Sequence, residues 1–266
     1  MRMTATATSF DRNIEKWLLY TRSAKGRMLH ELTRHHLEQQ LVSVEGPVRV
    51  LDAGCGFGDM AFHFVHRAKE LVLLDFSERM IEEAKKRLAE RHTAIDRERI
   101  TLVRAALEEL ESGLPQGSFD LIICHNTLEY TGDPEAVLSS LVKRLAPGGL
   151  LSLVVSNRFS QVFKLAFANL DLAGARLAFH SGSSTADLFD NISKRAFSFE
   201  ELDAMVGDLG LKVAARHGIR IFTDYLPENL VEDPANFQLL LALEKQAASE
   251  FPYMHVGRYL QVICGK

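Results

Sequence analysis

The densest group of chemistry-bearing residues is Asp52-Ala53-Gly54-Cys55-Gly56-Phe57-Gly58, which closes an apolar run beginning at Val48. Glycines there let the backbone turn sharply and approach a ligand closely. A dinucleotide fingerprint, G-x-G-x-x-G, would need its third glycine where Asp59 stands. Asp52 and Asp59 would also place two carboxylates beside an already negative pyrophosphate. The loop therefore suits a ligand bearing positive charge better than NAD. Asp75 ends the next apolar run, roughly twenty residues beyond the loop, where a carboxylate can accept hydrogen bonds from both hydroxyls of a ribose. The plainer alternative is an acid that caps the following turn.

Other candidates are weighed the same way. Arg220, Asp224, Tyr225, Arg258 and Tyr259 lie far down the chain. Arginine pairs with carboxylate through two parallel bonds, and tyrosine stacks on a base while presenting a hydroxyl. The alternative is that both arginines alternate outward on strands into solvent. His30, His35 and His36 share one expected helix with Glu31 and Glu38, and His35 lies four residues after Glu31, a metal-site spacing. No further ligand pattern follows, so a solvated polar face and no metal are expected. Cys55 has no evident base beside it and reads as small-residue packing; Cys124 and Cys264 read as core. Lys194-Arg195, Arg216 and His217 form at most a small basic patch, and such a pair is ordinarily solvated surface.

These residues need a frame. Short apolar runs alternate with helical patterns: strands at Val48–Asp52, Glu70–Asp75, Ile100–Ala105, Phe119–His125 and Leu150–Val155. Between them lie a helix from the glycine loop to about Ala68, one capped by Ser77 with Met80, Ile81, Ala84 and Leu88 on one face, and one from Asp133-Pro134 to about Ala146. Strands that are nearly all apolar, alternating with helices, imply a parallel sheet covered on both faces. Two helices, about Phe10–Tyr20 and Gly26–Leu41, precede the first strand. Residues 156–197 read as a mostly helical insertion, with a loop-like stretch at His180–Ser184. Ser198-Phe199-Glu200-Glu201 is a capping box. Leu211–His217 and Ile219–Phe222 are strand-like with a kink at Gly218. A helix from Asp233-Pro234 to about Ala248 leads to a last strand, Arg258–Cys264. The expected organisation is a single domain over 1–266: a helical cap (1–45), a cofactor-binding core (46–155), the insertion, and the rest of the sheet (198–266).

Composition agrees with an ordinary soluble globular protein. The chain has 266 residues, 47% apolar and 25% charged, with net charge −4. There is no global basic field to hold nucleic acid, so any such binding needs a local patch. Three cysteines without close pairing, no apolar leader and no run of membrane-spanning length point to a cytoplasmic protein without a membrane partner.

Three features together resemble the class I S-adenosylmethionine-dependent methyltransferases: the D-x-G-x-G-x-G loop, the acid at the end of strand two, and Leu145-Ala146-Pro147-Gly148-Gly149-Leu150 before strand five. The resemblance covers Val48 to Val155. It implies a seven-stranded, mostly parallel Rossmann-like methyltransferase sheet whose last strand inserts antiparallel between the fifth and sixth. It implies S-adenosylmethionine as cofactor, whose sulfonium and ammonium groups suit the charge of the loop. The residues it assigns to the cofactor are Arg27, Asp52, Gly54, Cys55, Gly56, Gly58, Asp75, Phe76, Met80, Ala106, Leu107 and His125. Ala106 and Leu107 are expected to border the adenine, and His125 the methionine moiety. Lys25-Gly26, His125–Tyr130, Gly218–Leu226 and Pro252–Tyr259 are similar to the tRNA 5-carboxymethoxyuridine methyltransferases, which esterify a carboxylate on a wobble uridine. That likeness implies a tRNA substrate and puts Arg220, Asp224, Tyr225, Arg258 and Tyr259 at its binding site. The family's arginine four residues after the lysine is Leu29 here, and Arg27 stands nearby. The alternative is a methyltransferase of a small-molecule carboxylate or hydroxyl; a third reading is a cofactor-binding protein without turnover.

Overall fold

The computed structural model describes residues 5–44, 46–91, 93–179, 183–186 and 192–266. Seven strands form the main sheet: β1 (Val48–Ala53), β2 (Ala68–Asp75), β3 (Ile100–Arg104), β4 (Phe119–His125), β5 (Leu145–Ser156), β8 (Lys212–Ile219) and β9 (Tyr259–Gly265). A separate hairpin holds β6 (Ser183–Ala186) and β7 (Ile192–Arg195). The sheet order is β3-β2-β1-β4-β5-β9-β8, and β9 runs antiparallel to both neighbours. This is the expected seven-stranded, mostly parallel arrangement.

Alternate strand residues feed opposite cores, as the two-residue period of a strand requires. Leu51, Val72, Ile122, Leu151 and Val262 pack with the helices Pro134–Lys143 and Phe199–Asp208. Val50, Leu73, Leu121, Ile123 and Ile263 pack on the other face with Leu37 of α3 (Ala24–Gln40) and Leu88 of α5 (Glu78–Arg91). The order reverses between β1 and β4. The carboxyl ends of the parallel strands open there into a crevice, the usual ligand site of such sheets.

Several boundaries differ from the sequence reading. The first expected helix is two, α1 (Ala5–Arg12) and α2 (Ile14–Arg22), broken at Asn13, whose side chain donates to the Ser9 carbonyl (2.9 Å). The helix after the glycine loop, α4 (Asp59–Phe62), ends early. Tight turns follow, so that β2 starts at Ala68 in register with Val48. The helix at Pro134 stops at Lys143, because Leu145 already pairs with Phe119 as the start of β5. Residues 156–197 are not mostly helical: the helices Arg158–Phe163 and Leu172–Ala178 are followed by the hairpin, which takes in Ser183 and Ser184. His180, Ser181 and Gly182 lie outside the described residues. β8 runs straight through Gly218, where a Cβ would sit 2.4 Å from the Met254 carbonyl oxygen; this glycine permits a close approach and makes no kink. The strand instead breaks at Arg220, which has a left-handed φ of 60°. Among the described residues no helix is long and apolar enough to cross a membrane.

Candidate active site

The crevice is a cavity of about 960 Å³. Its floor is the glycine loop. Gly54 and Cys55 donate their backbone N–H groups to the Leu74 carbonyl (2.8 and 2.9 Å), which pins the loop to the end of β2. Gly54 has φ 85°, and a side chain there would strike Thr127. Gly56 has φ 53° but meets nothing nearer than the Trp17 indole nitrogen, 3.7 Å from a built Cβ; its open side is the cavity. Asp75 accepts from the N–H of Gly56 and of Ser77, 2.9 Å each. Ser77 Oγ also accepts from the Met80 N–H, the expected helix cap, and donates to Asp11 of α1.

Charge at this end is poised by burial. Asp52 is buried and its Oδ2 has no hydrogen-bond partner. Burial, then the neighbouring Asp75 carboxylate, pushes its carboxyl up to about 7. Asp75 is pushed up to about 6, mainly by burial, against the pull of its backbone donors. His125 Nε2 lies 2.8 Å from Ser152 Oγ, while Nδ1 is unpartnered. Burial lowers its imidazole to about 3, so it is neutral at pH 7. Asn126 Nδ2 is also buried without a partner. Orphaned polar atoms around a cavity are what a bound polar molecule satisfies.

The opposite end is built by β9, the turn after β8, α2 and the hairpin. Arg220 is buried. Its Nε donates to Asp224 Oδ2 (2.8 Å), Nη2 to the other Asp224 oxygen, and Nη1 to the Tyr20 hydroxyl. Arg258 lies over the Tyr259 ring at 5.9 Å, and its guanidinium makes no ion pair or hydrogen bond among the described residues. Lys194 of β7 is buried, 3.4 Å from Glu129, over the rings of Tyr130 (5.4 Å) and Tyr259 (5.8 Å). Burial alone would raise the Tyr259 phenol, but Arg220, Lys194 and Arg258 outweigh it and hold it below its ordinary value.

Comparison with known proteins settles the chemistry. Residues 51–151 match the family described as a methyltransferase domain. The chain is 29% identical over 263 residues to the tRNA 5-carboxymethoxyuridine methyltransferase of Escherichia coli (strain K12), covering 98% of this chain and 94% of that one. It is 31% identical over 132 residues to a ubiquinone biosynthesis O-methyltransferase of Dechloromonas aromatica (strain RCB), covering 49% and 54%. It shares its fold with the magnesium protoporphyrin IX methyltransferase of Synechocystis PCC 6803 solved with bound S-adenosylhomocysteine: TM-score 0.65, 14% identity, 97% and 96% coverage. This chain is an S-adenosylmethionine-dependent methyltransferase. Its cofactor is S-adenosylmethionine, and the cleft fits it: the buried carboxylates of Asp52 and Asp75 in its lining suit a ligand with two cationic centres and a diol.

The methyltransferase brings together most of the residues singled out in its sequence. Asp52, Gly54, Cys55, Gly56, Asp75, Phe76, Met80, Ala106, Leu107 and His125 line the cavity, with Arg220, Asp224, Arg258 and Tyr259 at its other end. Three do not. Gly58 lies beneath the loop, where a Cβ would meet Leu73 and Phe62. Tyr225 turns away, its hydroxyl donating to the Val256 carbonyl (3.4 Å). Arg27 points off the far side of α3, 3.6 Å from Glu232 and over Phe237. Lys25, Leu29 and Thr33 line the cavity instead, and their four-residue spacing could have found that face.

Two charge arguments change in the methyltransferase. Asp59 borders the cavity but is neutralised by Arg87 and Arg91 (3.2 Å), so Asp52 carries the negative potential of the loop without it. Lys194 is no solvated surface charge, whereas Arg195 does sit at the surface, paired with Glu135 (2.7 Å). Two of the three α3 histidines, His30 and His36, are not part of a solvated face either. His30 lines the cavity, and His36 is buried in a stack with His217, centroids 3.8 Å apart. Among the described residues no group of three or more His, Cys, Asp or Glu is placed to hold a metal. The Cys55 thiol borders the cleft, but burial and then the Asp75 and Asp52 carboxylates push it well above its ordinary value, against a nucleophilic role. Trp17, Tyr20, Tyr130 and Lys194 were missed. They come from three separate segments: Trp17 and Tyr20 share α2, three residues apart, whereas Tyr130 and Lys194 reach the cavity from the turn after β4 and from β7.

Proposed function

We propose that this methyltransferase esterifies the carboxylate of 5-carboxymethoxyuridine in tRNA, and that residues 1–266 act as one unit. The observation that carries the reading is the open Arg258 guanidinium at the acceptor end. It is supported by the end-to-end similarity to the Escherichia coli enzyme, whereas the ubiquinone-pathway relative matches only about half of the chain. When bound, S-adenosylmethionine supplies an electrophilic methyl group on a sulfonium. Asp52, Asp75, Phe76, Met80, Ala106, Leu107 and His125 would hold it, and Lys25, which lines the cavity where Arg27 does not, would meet its carboxylate. An acceptor carboxylate is ionised at pH 7, so no side chain has to remove a proton. Arg258 would grip that carboxylate and fix its line of approach; Tyr20, Tyr130 and Tyr259 offer ring faces to the base that bears it. Arg220, already committed to Asp224 and Tyr20, shapes the wall.

The test is turnover of labelled cofactor on tRNA carrying the unesterified group, at several ionic strengths, beside a pool of small carboxylic acids. The proposal expects ester formation on tRNA that falls steeply with salt, because phosphate contacts release counterions. Turnover on a small acid with little salt dependence, and none on the tRNA, would establish the small-molecule reading in its place.

A further inference from the structure

Lys194 stands in a place that general packing does not explain. It is 6% exposed, yet β7 carries it over the acceptor end of the cleft, where its ammonium sits between the rings of Tyr130 and Tyr259. Its only carboxylate partner among the described residues is Glu129, 2% exposed and 3.4 Å away, longer than the ~2.7–2.9 Å of a strong charge-assisted bond. Glu129 is held independently, because Ser156 Oγ donates to its Oε1 at 2.9 Å, while Oε2 has no partner. Three cations, Lys194, Arg220 and Arg258, thus surround Tyr259, against two carboxylates, Glu129 and Asp224. Asp224 is committed to Arg220 through a two-point pair. The cluster is left with one positive charge, shared by the open Arg258 and the loosely held Lys194.

We infer that Lys194 is a specificity-determining residue for the acceptor: with Arg258 it receives one carboxylate, for which Glu129 is the resident competitor. The inference rests on the carboxylate reading of the acceptor and adds to it a residue from the hairpin. One bound carboxylate neutralises the cluster. Esterification then removes that charge and restores the unbalanced cation, so the ester product is held less tightly than the acid. Selection of acid over ester or amide follows from the cost of burying a cation without its partner. Lys194 and Arg258 line the same cavity, each within 6 Å of the Tyr259 ring centroid (5.8 and 5.9 Å), whereas the Glu129–Ser156 bond keeps the competitor from following the ligand.

The experiment is calorimetry on the full chain loaded with S-adenosylhomocysteine, using two acid/amide pairs: 5-carboxymethoxyuridine with its carboxamide, and benzoate with benzamide. In the native protein the acid is expected to bind about tenfold or more tighter than its amide. Lys194→Met should cut that ratio by about tenfold, Lys194→Arg should restore most of it, and Glu129→Gln should raise it, all with S-adenosylhomocysteine affinity unchanged. A purely structural Lys194–Glu129 pair would instead weaken acid, amide and cofactor together in both variants, and that result overturns the inference. So does an unchanged ratio in Lys194→Met, or a native protein that prefers neither acid. Preference for benzoate without binding of the nucleoside acid would sink the tRNA reading and leave the role of Lys194 standing.

Discussion

The two arginines of the acceptor end make opposite predictions, although both are spaced alike from the sheet. Arg258 has an open guanidinium, so Arg258→Ala removes a ligand group and leaves no buried charge behind. A charge-assisted bond of about 1.5–3 kcal/mol corresponds to a loss of roughly 10- to 150-fold in kcat/KM for a carboxylate acceptor. Cofactor affinity and Tm should stay near those of the native chain. Arg220 is the partner of Asp224, with side-chain exposures of 3% and 13%. Arg220→Ala leaves that carboxylate buried and unpaired, and frees the Tyr20 hydroxyl. Removing one partner of a buried pair costs about 3–5 kcal/mol, which for a chain of this size lowers Tm by roughly 6–20 °C. The double variant Arg220→Ala with Asp224→Ala should recover much of that stability, because both charges are gone. The assay pairs thermal unfolding with steady-state kinetics on each variant. The reasoning fails if Arg258→Ala melts like Arg220→Ala, or if Arg220→Ala loses activity without losing stability.

The remaining predictions concern the cofactor end. Lys25→Ala should weaken S-adenosylmethionine binding by roughly tenfold, and Arg27→Ala should leave it unchanged; calorimetry that reversed the two would return Arg27 to the site. Asp75→Ala should weaken S-adenosylmethionine and S-adenosylhomocysteine alike, because its carboxylate lines the cleft and fixes the Gly56 N–H of its floor, and unchanged affinity for both would remove it. Gly56→Val should abolish cofactor binding with circular dichroism intact, since the added side chain fills the cavity floor. With Asp52 near 7 and Asp75 near 6, both above the usual carboxylate range, the folded chain without cofactor binds more protons than the unfolded chain between about pH 4 and 7. Their contribution to its stability therefore declines as pH rises through that window, while affinity for the cationic cofactor increases. Melting and binding curves from pH 5 to 8 should show both trends, with the first reduced in Asp52→Asn.

Much of this protein is legible in one dimension because its determinants are local. Val48–Asp52 and Phe119–His125 are mostly apolar runs whose apolar residues fall on both faces, so they are strands buried on both faces. Ser77, Asp133 and Ser198 accept from backbone N–H groups at Met80, Ala136 and Glu201 three residues on, a bond set by sequence spacing alone. The glycine loop and Asp75 lie within one strand–loop–strand unit, so their meeting is also a short-range fact. What the acceptor end is made of was decided in three dimensions. Whether Arg27 or Lys25 faces the cleft depends on the rotation of α3 against the sheet. Whether Asp59 carries free charge depends on Arg87 and Arg91, a helix away. Lys194 reads as a surface lysine until the hairpin lays it over Tyr130 and Tyr259. Charge, burial and openness belong to pairs of distant residues, and only the packing of the sheet with its helices and hairpin chooses the pairs.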